Sequence, residues 1–418
     1  IDRRLVMDFA IAMSACLPNT IPDQIGVAVS GGGDSTALLL MMRKWADKAG
    51  VKLAAATVNH GLRPEAAAEA AQVAQTCARL GVAHETLYWT GWDHMGNIQA
   101  EARKARYRLL AEWAKSRDIS TVALGHTSED QAETVLMRLI RGSGVDGLAG
   151  MTPTVTRGQI IWIRPLLSFA REDLRGVLRG QNVDWCEDPS NQDDSFLRIR
   201  IRKLMGATGL KTDGLVKTAA RMQSARRFLE LSCQTVARQL AQVTPLGDIE
   251  IDFAGFMALD TELQTRLMAH SLQWVASTPY RPRLDSLHTI LKTKDKISRQ
   301  TLAGCVVETN KTGVLRVSRE YNAVRDEAAK PDAVWDRRWI GSGPEKPDGV
   351  TIRALGENGL SNLKNWRGLA LPRNSLIASP VVWQNSKLIA APLAGWPNGW
   401  TIGLQKGADH YFSSILSH

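Results

Sequence analysis

Apolar positions in the first half of the chain fall into short uninterrupted runs that alternate with longer amphipathic stretches. Residues 4–17 set Leu5, Phe9, Met13 and Cys16 at helical spacing, which predicts an entry helix. Residues 25–29 form an apolar run of strand length. The segment that follows runs through Leu38, Leu39 and Met42 to Gly50 and predicts a helix closed by that glycine. Residues 52–58 predict a second strand. An alanine-rich helix then opens at Pro64 and stops at Gly81. Residues 84–89 predict a third strand, 97–115 a helix and 121–124 a fourth strand, with a further helix after it. Such alternation implies βαβ units, so the class is α/β with a doubly wound parallel sheet. In such a sheet ligands bind beyond the carboxyl ends of the strands. The glycine stretch 30–35, His60 and His126 each directly follow a strand, so all three are expected on one edge.

The pattern changes further on. Residues 206–214 read as a linker. Residues 215 to about 295 are mainly helical in pattern, with Leu259, Leu263, Leu267 and Leu272 as core positions. Residues 305–307 and 314–317 predict a hairpin. Residues 326–349, rich in Pro, Gly and charge, form a second break. From about 350 onward the strands are short, and 381–383 against 388–390 predict a hairpin. Three domains result: 1–205, a mainly helical 215–325, and a small β-rich 350–418. Six of the thirteen tryptophans lie between Trp335 and Trp400. They suit either a small β core or stacking on bases.

Composition narrows the class. No stretch approaches ~18 uninterrupted apolar residues, so no membrane span is expected. The start is amphipathic rather than uniformly apolar, which argues against a secretory signal. Five cysteines are scattered and form no CxxC pair, which favours a cytoplasmic location and disfavours structural zinc. The formal charge of +10 points to a polyanionic partner.

Chemistry concentrates first in Ser30-Gly31-Gly32-Gly33-Asp34-Ser35, on the turn from the first strand to its helix. Three glycines open the backbone to close approach. The N–H groups of the turn and of the helix start then converge on one anion-sized spot, and the two serines add hydroxyls. Asp34 repels an anion unless a cation lies between them; Mg²⁺ carried by ATP supplies one. The turn is not the ordinary P-loop, since it has no lysine. It resembles instead the SGGxDS loop of the N-type ATP pyrophosphatases, which cleave ATP between the α and β phosphates.

The second concentration is 125–134, Gly-His-Thr-Ser-Glu-Asp-Gln-Ala-Glu-Thr. Ser128 and Gln131 fit a capping box. Ala132, Val135, Leu136, Leu139 and Ile140 fit a core stripe, with Asp130, Thr134, Arg138 and Arg141 opposite. Acid in the first turn and arginine in the last suit the helix dipole. Asp34 and Asp130 together also suit Mg²⁺ on a triphosphate.

These motifs, with Val58-Asn59-His60-Gly61-Leu62-Arg63, Arg141-Gly142-Ser143-Gly144, Gly147 to Met151, Trp185 to Asn191 and Phe196 to Arg202, resemble the tRNA(Ile)-lysidine synthase family over about residues 20–205. Glu129 and Ile199 depart from the family pattern. The resemblance implies a PP-loop, adenine nucleotide alpha hydrolase-like fold. It also implies ATP-dependent attachment of free L-lysine to C2 of the wobble cytidine in the isoleucine tRNA with a CAU anticodon, by way of an adenylated base. Ser30 to Ser35, His60, Arg63, His126 and Arg141 would then face ATP or the cytidine. Asp34 and Asp130 would hold Mg²⁺, and Asp130 and Glu133 would hold lysine or accept its proton. His126 equally fits a structural histidine. The longer family members carry two C-terminal domains that grip tRNA. No membrane and no obligate protein partner are implied.

Residues 195–238 hold ten Lys/Arg against Asp213 and Glu230, a net of +8. This favours tRNA phosphate contact through Arg200, Arg202, Lys203, Arg226 and Arg227, with Arg198 reaching the reaction site. Arg103 and Arg106 extend the basic surface. Two other readings stand beside this one. A tRNA thiolase would share the ATP chemistry but usually needs CxxC cysteines. A tRNA-binding protein with an inactive ATP site would not need Asp34, Ser35 and Asp130 intact.

Overall fold

The computed structural model describes every residue except 1–2, 18–20, 62–63, 91–97, 188–196, 293–296, 298, 344–347, 364–365 and 417–418. Arg63 and most of the 188–196 motif positions therefore lie outside the described residues. The chain divides into two compact units, 1–226 and 227–418.

The first unit runs α1 (Arg3–Cys16), β1 (Gln24–Ala28), α2 (Gly33–Ala49), β2 (Lys52–Asn59), α3 (Ala66–Arg79), β3 (Ala83–Tyr88), α4 (Ile98–Ser116), β4 (Thr121–Leu124) and α5 (Ser128–Ile140). It continues with α6 (Val145–Leu148), β5 (Thr154–Arg157), β6 (Ile160–Ile163), α7 (Arg171–Arg179) and α8 (Leu197–Thr208). The long α9 (Thr212–Leu240) crosses the boundary between the units. The sheet order is β3-β2-β1-β4-β6-β5. Its neighbours pair in parallel except β5, which runs antiparallel to β6 at the edge. This is the expected α/β sheet with one antiparallel addition. Strands β5 and β6 are four residues each, too short for a period of two to register in sequence.

Both faces of the sheet are covered. One face packs Ile25 and Val27 against α2, α1 and α7; the other packs Ala28, Ala54 and Ala56 against Leu110, Trp113 and Trp162. Gly26 is required there, because a Cβ would lie 2.8 Å from the Trp113 ring. Leu38 to Met42 are all buried, so the middle of α2 is enclosed on every side, while its last turns carry Arg43, Lys44, Asp47 and Lys48.

Three local expectations change. Thr127, not Ser128, caps α5, and its box partner is Asp130 rather than Gln131. Leu139 and Ile140 are 52% and 61% exposed, because the last turn of α5 runs beyond the core that buries Ala132, Val135 and Leu136. The linker shrinks to residues 209–211, with Gly209 at φ +68 supplying the break.

In the first part of the second unit five short strands accompany the helices. Strands β7 (Ala241–Val243) and β8 (Ile249–Asp252) precede α10 (Phe253–Met257), α11 (Thr261–Ala276) and α12 (Leu284–Leu291), and β9 (Gln300–Leu302), β10 (Cys305–Thr309) and β11 (Val314–Arg319) follow. They form one sheet, β7-β8-β11-β10-β9, and the expected 305–317 hairpin is its β10–β11 pair. Leu267 and Leu272 of α11 are fully buried. Beyond residue 327 come a four-stranded and a three-stranded antiparallel sheet, including the expected hairpin of Pro380–Gln384 and Lys387–Ala390. Trp335, Trp339, Trp383 and Trp400 are buried, so these four serve the core. The last helix returns Tyr411 to the α11 cluster, where its hydroxyl meets Ser271 Oγ at 2.8 Å.

A buried polar knot joins these parts. Asp248 accepts from Ser375 Oγ and lies 3.9 Å from Arg316 Nε. Burial pushes its carboxyl up to about 7 against the pull of Ser375, Arg316 and Arg338. A carboxyl raised on folding keeps a proton that the unfolded chain gives up, so stability falls as pH rises from 3.8 to about 7. Each pH unit in that window costs up to roughly 1.4 kcal/mol. In calorimetry of the second unit's transition, Asp248→Asn is expected to lose less thermal stability than wild type between pH 5 and pH 8. Parallel losses in both proteins would contradict it.

Candidate active site

The glycine turn is knitted by its own hydroxyls. Ser35 Oγ accepts from the Ser30 N–H at 3.1 Å, meets Ser30 Oγ at 3.1 Å and donates to Gly32 O at 3.0 Å. Thr36 Oγ1 also donates to Gly32 O, at 3.0 Å. Gly31 adopts φ +88, which L side chains resist. Its carbonyl accepts from the Cys186 N–H at 2.9 Å, so the 185–186 segment backs the turn. At the carboxyl end of β4, Gly125 touches the turn: a Cβ there would lie 3.0 Å from Ser35 Cα and 3.2 Å from the Asp34 carbonyl carbon. β1 and β4 are hydrogen-bonded neighbours, which is why two segments ninety residues apart converge.

The α5 start supplies the carboxylates. The Thr127 N–H donates to Asp130 Oδ2 at 2.9 Å, and the Asp130 N–H points back at Thr127 Oγ1. Asp130 is 9% and Glu133 1% exposed. Arg171, the first residue of α7, ties the cluster together. Its Nε donates to Asp34 Oδ2 at 3.1 Å and its Nη2 to Asp130 Oδ1 at 2.7 Å. Its Nη1 lies 3.6 Å from Glu133 Oε1. Its backbone N–H donates to the Glu129 carboxylate at 3.1 and 3.2 Å, so the Glu129 departure caps α7. From α8, Arg202 donates to Glu133 Oε1 at 3.0 and 2.8 Å, and Arg198 Nε lies 3.9 Å from Glu133 Oε2.

The two aspartates respond differently to this setting. Burial raises the Asp34 carboxyl, with Arg171 opposing and Asp130 adding to the rise. Asp130 is held below the usual carboxylate range: burial pushes it up, but Arg171, the Thr127 N–H, His126 and Arg198 together outweigh that. Arg171 loses to burial but gains more from Asp130, Asp34, Glu133 and Glu129, so its charge is secured.

The histidines are neutral. Burial, helped by Arg164, Arg106 and Arg103 and opposed by Asp130, pushes His126 down to about 3. Burial and Arg106 lower His60, whose ring sits edge-on to Trp89 at 5.7 Å. Among the described residues, Nδ1 of each ring and Glu133 Oε2 are buried without a hydrogen-bond partner. Buried polar atoms of this kind normally have partners.

The other predicted residues distribute as follows. Arg106 lies close enough to both histidines to depress them, and Arg103 stacks over Tyr107 at 5.3 Å. Arg198 and Arg202, which alternate with Arg200 in sequence, are one turn apart on a helix, so both reach Glu133 while Arg200 and Lys203 are exposed. Arg141 ends α5, about 18 Å from its first turn at 1.5 Å per residue, and is exposed. Arg226 lies near Arg138; Arg227 is exposed in the second unit. Arg171 escaped the sequence reading. Its signal is an arginine at the positive end of a helix dipole, where a cation is disfavoured unless acids face it.

Asp34 and Asp130 share one cation, the Arg171 guanidinium, and their hard carboxylate oxygens are of the type that Mg²⁺ held partly by protein and partly by phosphates takes. Among the described residues no group of three or more His, Cys, Asp or Glu forms a self-sufficient metal cage.

The PP-loop domain family matches residues 6–208. A tRNA(Ile)-lysidine synthase of Ruegeria pomeroyi is 42% identical over 400 residues, covering 95% of each chain. One of Wolbachia pipientis wMel is 37% identical over 76% of each chain. One of Mesorhizobium japonicum is 36% identical over 87% of this chain and 83% of its own. At that identity and coverage, the chain belongs to the tRNA(Ile)-lysidine synthase family.

Proposed function

We propose that the chain carries out its family's reaction at the edge formed by the glycine turn and the Asp34–Asp130–Glu133 cluster. The substrates are ATP, free L-lysine and the isoleucine tRNA with a CAU anticodon, and the setting is the cytoplasm. The wobble cytidine O2 attacks the α-phosphate and pyrophosphate leaves. The lysine ε-amine then attacks C2 and expels AMP. The observation that carries this reading is three carboxylates and three guanidiniums gathered beside an anion-binding turn, in a chain of this family.

The N–H groups of the turn, at the start of α2, are placed to receive the departing pyrophosphate. Mg²⁺ held by Asp34 and Asp130 would neutralise the triphosphate. Arg198 and Arg171 are positioned to balance charge that builds at the α-phosphate. The lysine amine must shed a proton, since its ordinary pKa is about 10.4. Glu133 Oε2, which has no hydrogen-bond partner among the described residues, is the acceptor we assign to the ε-ammonium, with Asp130 beside it. Neutral His126 offers Nδ1 to the base or the nucleotide. The basic helices grip tRNA phosphates through Arg103, Arg106, Arg200, Lys203, Arg226 and Arg227, with Arg202 split between that role and Glu133. Cys16, Cys77, Cys233 and Cys305 are buried and raised by burial, so they do not suit sulfur transfer.

The direct test incubates the protein with ATP, Mg²⁺, the tRNA transcript and radiolabelled lysine. Label resistant to the mild base that strips aminoacyl esters, matched one for one by AMP, is expected. AMP without label would move the nucleophile elsewhere. Asp34→Ala should lower adenylation at least about a thousandfold, by analogy with loss of a charged transition-state partner, while tRNA affinity stays within about twofold. Glu133→Gln should raise the KM for lysine more than about tenfold and leave pyrophosphate release measurable. Gly125→Ala should weaken ATP binding, read by equilibrium titration, because its Cβ presses on the Asp34–Ser35 backbone.

A further inference from the structure

We infer that Arg171 is a resident counter-cation that keeps divalent ions off the carboxylates until a nucleotide brings one in. The inference rests on the reading above that Asp34 and Asp130 face the nucleotide's metal ion. Its argument begins with which oxygens are engaged. Asp34 Oδ2 and Asp130 Oδ1 both accept from the same guanidinium, through Nε and Nη2. Asp130's other oxygen accepts from the Thr127 N–H, so Oδ1 is the one turned to the site. An ion bridging the two aspartates would take Asp130 Oδ1, the oxygen the guanidinium holds, together with an oxygen of Asp34. Guanidinium and ion, both cations, therefore compete for the same pair of carboxylates.

The charges around them explain why something must stand there. Glu129, Asp130 and Glu133 project from α5 and Asp34 from the first turn of α2. Arg198 and Arg202 serve Glu133 from α8. Among the described residues, Arg171 is the only cation within ion-pair distance of Asp34 or Asp130. Its backbone is pinned by Glu129, while its side chain is 20% exposed and has four rotatable torsions with which to swing aside. A displaced guanidinium beside a triphosphate gains a bidentate phosphate partner. ATP alone or Mg²⁺ alone pays for breaking the bridge; together they replace both of its halves. Arg171 thus couples metal binding to nucleotide binding.

The test measures Mn²⁺ binding by electron paramagnetic resonance on the full chain without nucleotide, tRNA or lysine, so it does not depend on turnover. Wild type is expected to bind weakly. Arg171→Gln should bind Mn²⁺ at least about tenfold tighter, a change of about 1.4 kcal/mol. Arg171→Lys, whose single ammonium cannot bridge both carboxylates, should fall between. Adding a non-cleavable ATP analogue should tighten Mn²⁺ binding more in wild type than in Arg171→Gln. Unchanged or weaker Mn²⁺ binding in a folded Arg171→Gln overturns the counter-cation role. If that variant does not fold, an Arg171→Lys affinity equal to wild type overturns it. Adding Asp34→Asn to Arg171→Gln should abolish the gain. A gain that survives it would overturn Asp34 as a metal ligand and the inference with it.

Discussion

Carboxylates drawn from two helices cannot share one sheet edge without a cation among them. Burying Glu133 to 1% exposure and Asp130 to 9% is costly for ionised groups unless each is paired and hydrogen-bonded. Arg171 meets that need for Asp34 and Asp130, and Arg202 for Glu133. The starts of α2, α5 and α7 and one face of α8 converge because each brings one of these charges. Removing a partner leaves a buried charge uncompensated, so the architecture and the chemistry stand on the same ion pairs.

The sheet supplies the meeting place. β1 sends connections to β2 and β3 on one side, while β4, β6 and β5 lie on the other, so the order reverses between β1 and β4. That is the switch point where a doubly wound sheet opens a crevice. The glycine turn leaves β1 and the His126–Glu133 stretch leaves β4, and Gly125 lets the two backbones touch. At the same edge, Nδ1 of His126 is buried without a hydrogen-bond partner among the described residues. Packing and polar incompleteness thus coincide at one place.

The second unit shows the opposite economy. Its buried charges are largely satisfied: Arg319 pairs with Asp336 through two hydrogen bonds, Asp248 meets Ser375 and Arg316, and Arg338 stacks on Trp274 while donating to Gly247 O. Its tryptophans are mostly interior. These groups stabilise a mixed fold.

Much of the first unit was legible in the chain. Apolar runs of four to eight residues, punctuated by Gly50, Gly81 and Gly142, mark β1 to β4 and the helices between them, since burial on both faces forces that pattern. The glycine turn and the acids Asp34, Asp130 and Glu133 stood out by residue type alone. Short elements were not legible: β5, β6, β7 and β8 are three or four residues long, and only their pairing partners make them strands. Nor was the face on which each arginine acts. Arg198 and Arg202 look alternating in sequence and become one-turn neighbours in α8. Arg171 lies 137 residues from Asp34 and carries no local signal beyond its odd place on a helix dipole. Local sequence determines which backbone a segment prefers and which groups need partners. Which partner answers is decided only when the sheet order brings distant chain ends within 3 Å, because ion pairs in a buried site depend on distance and not on separation along the chain.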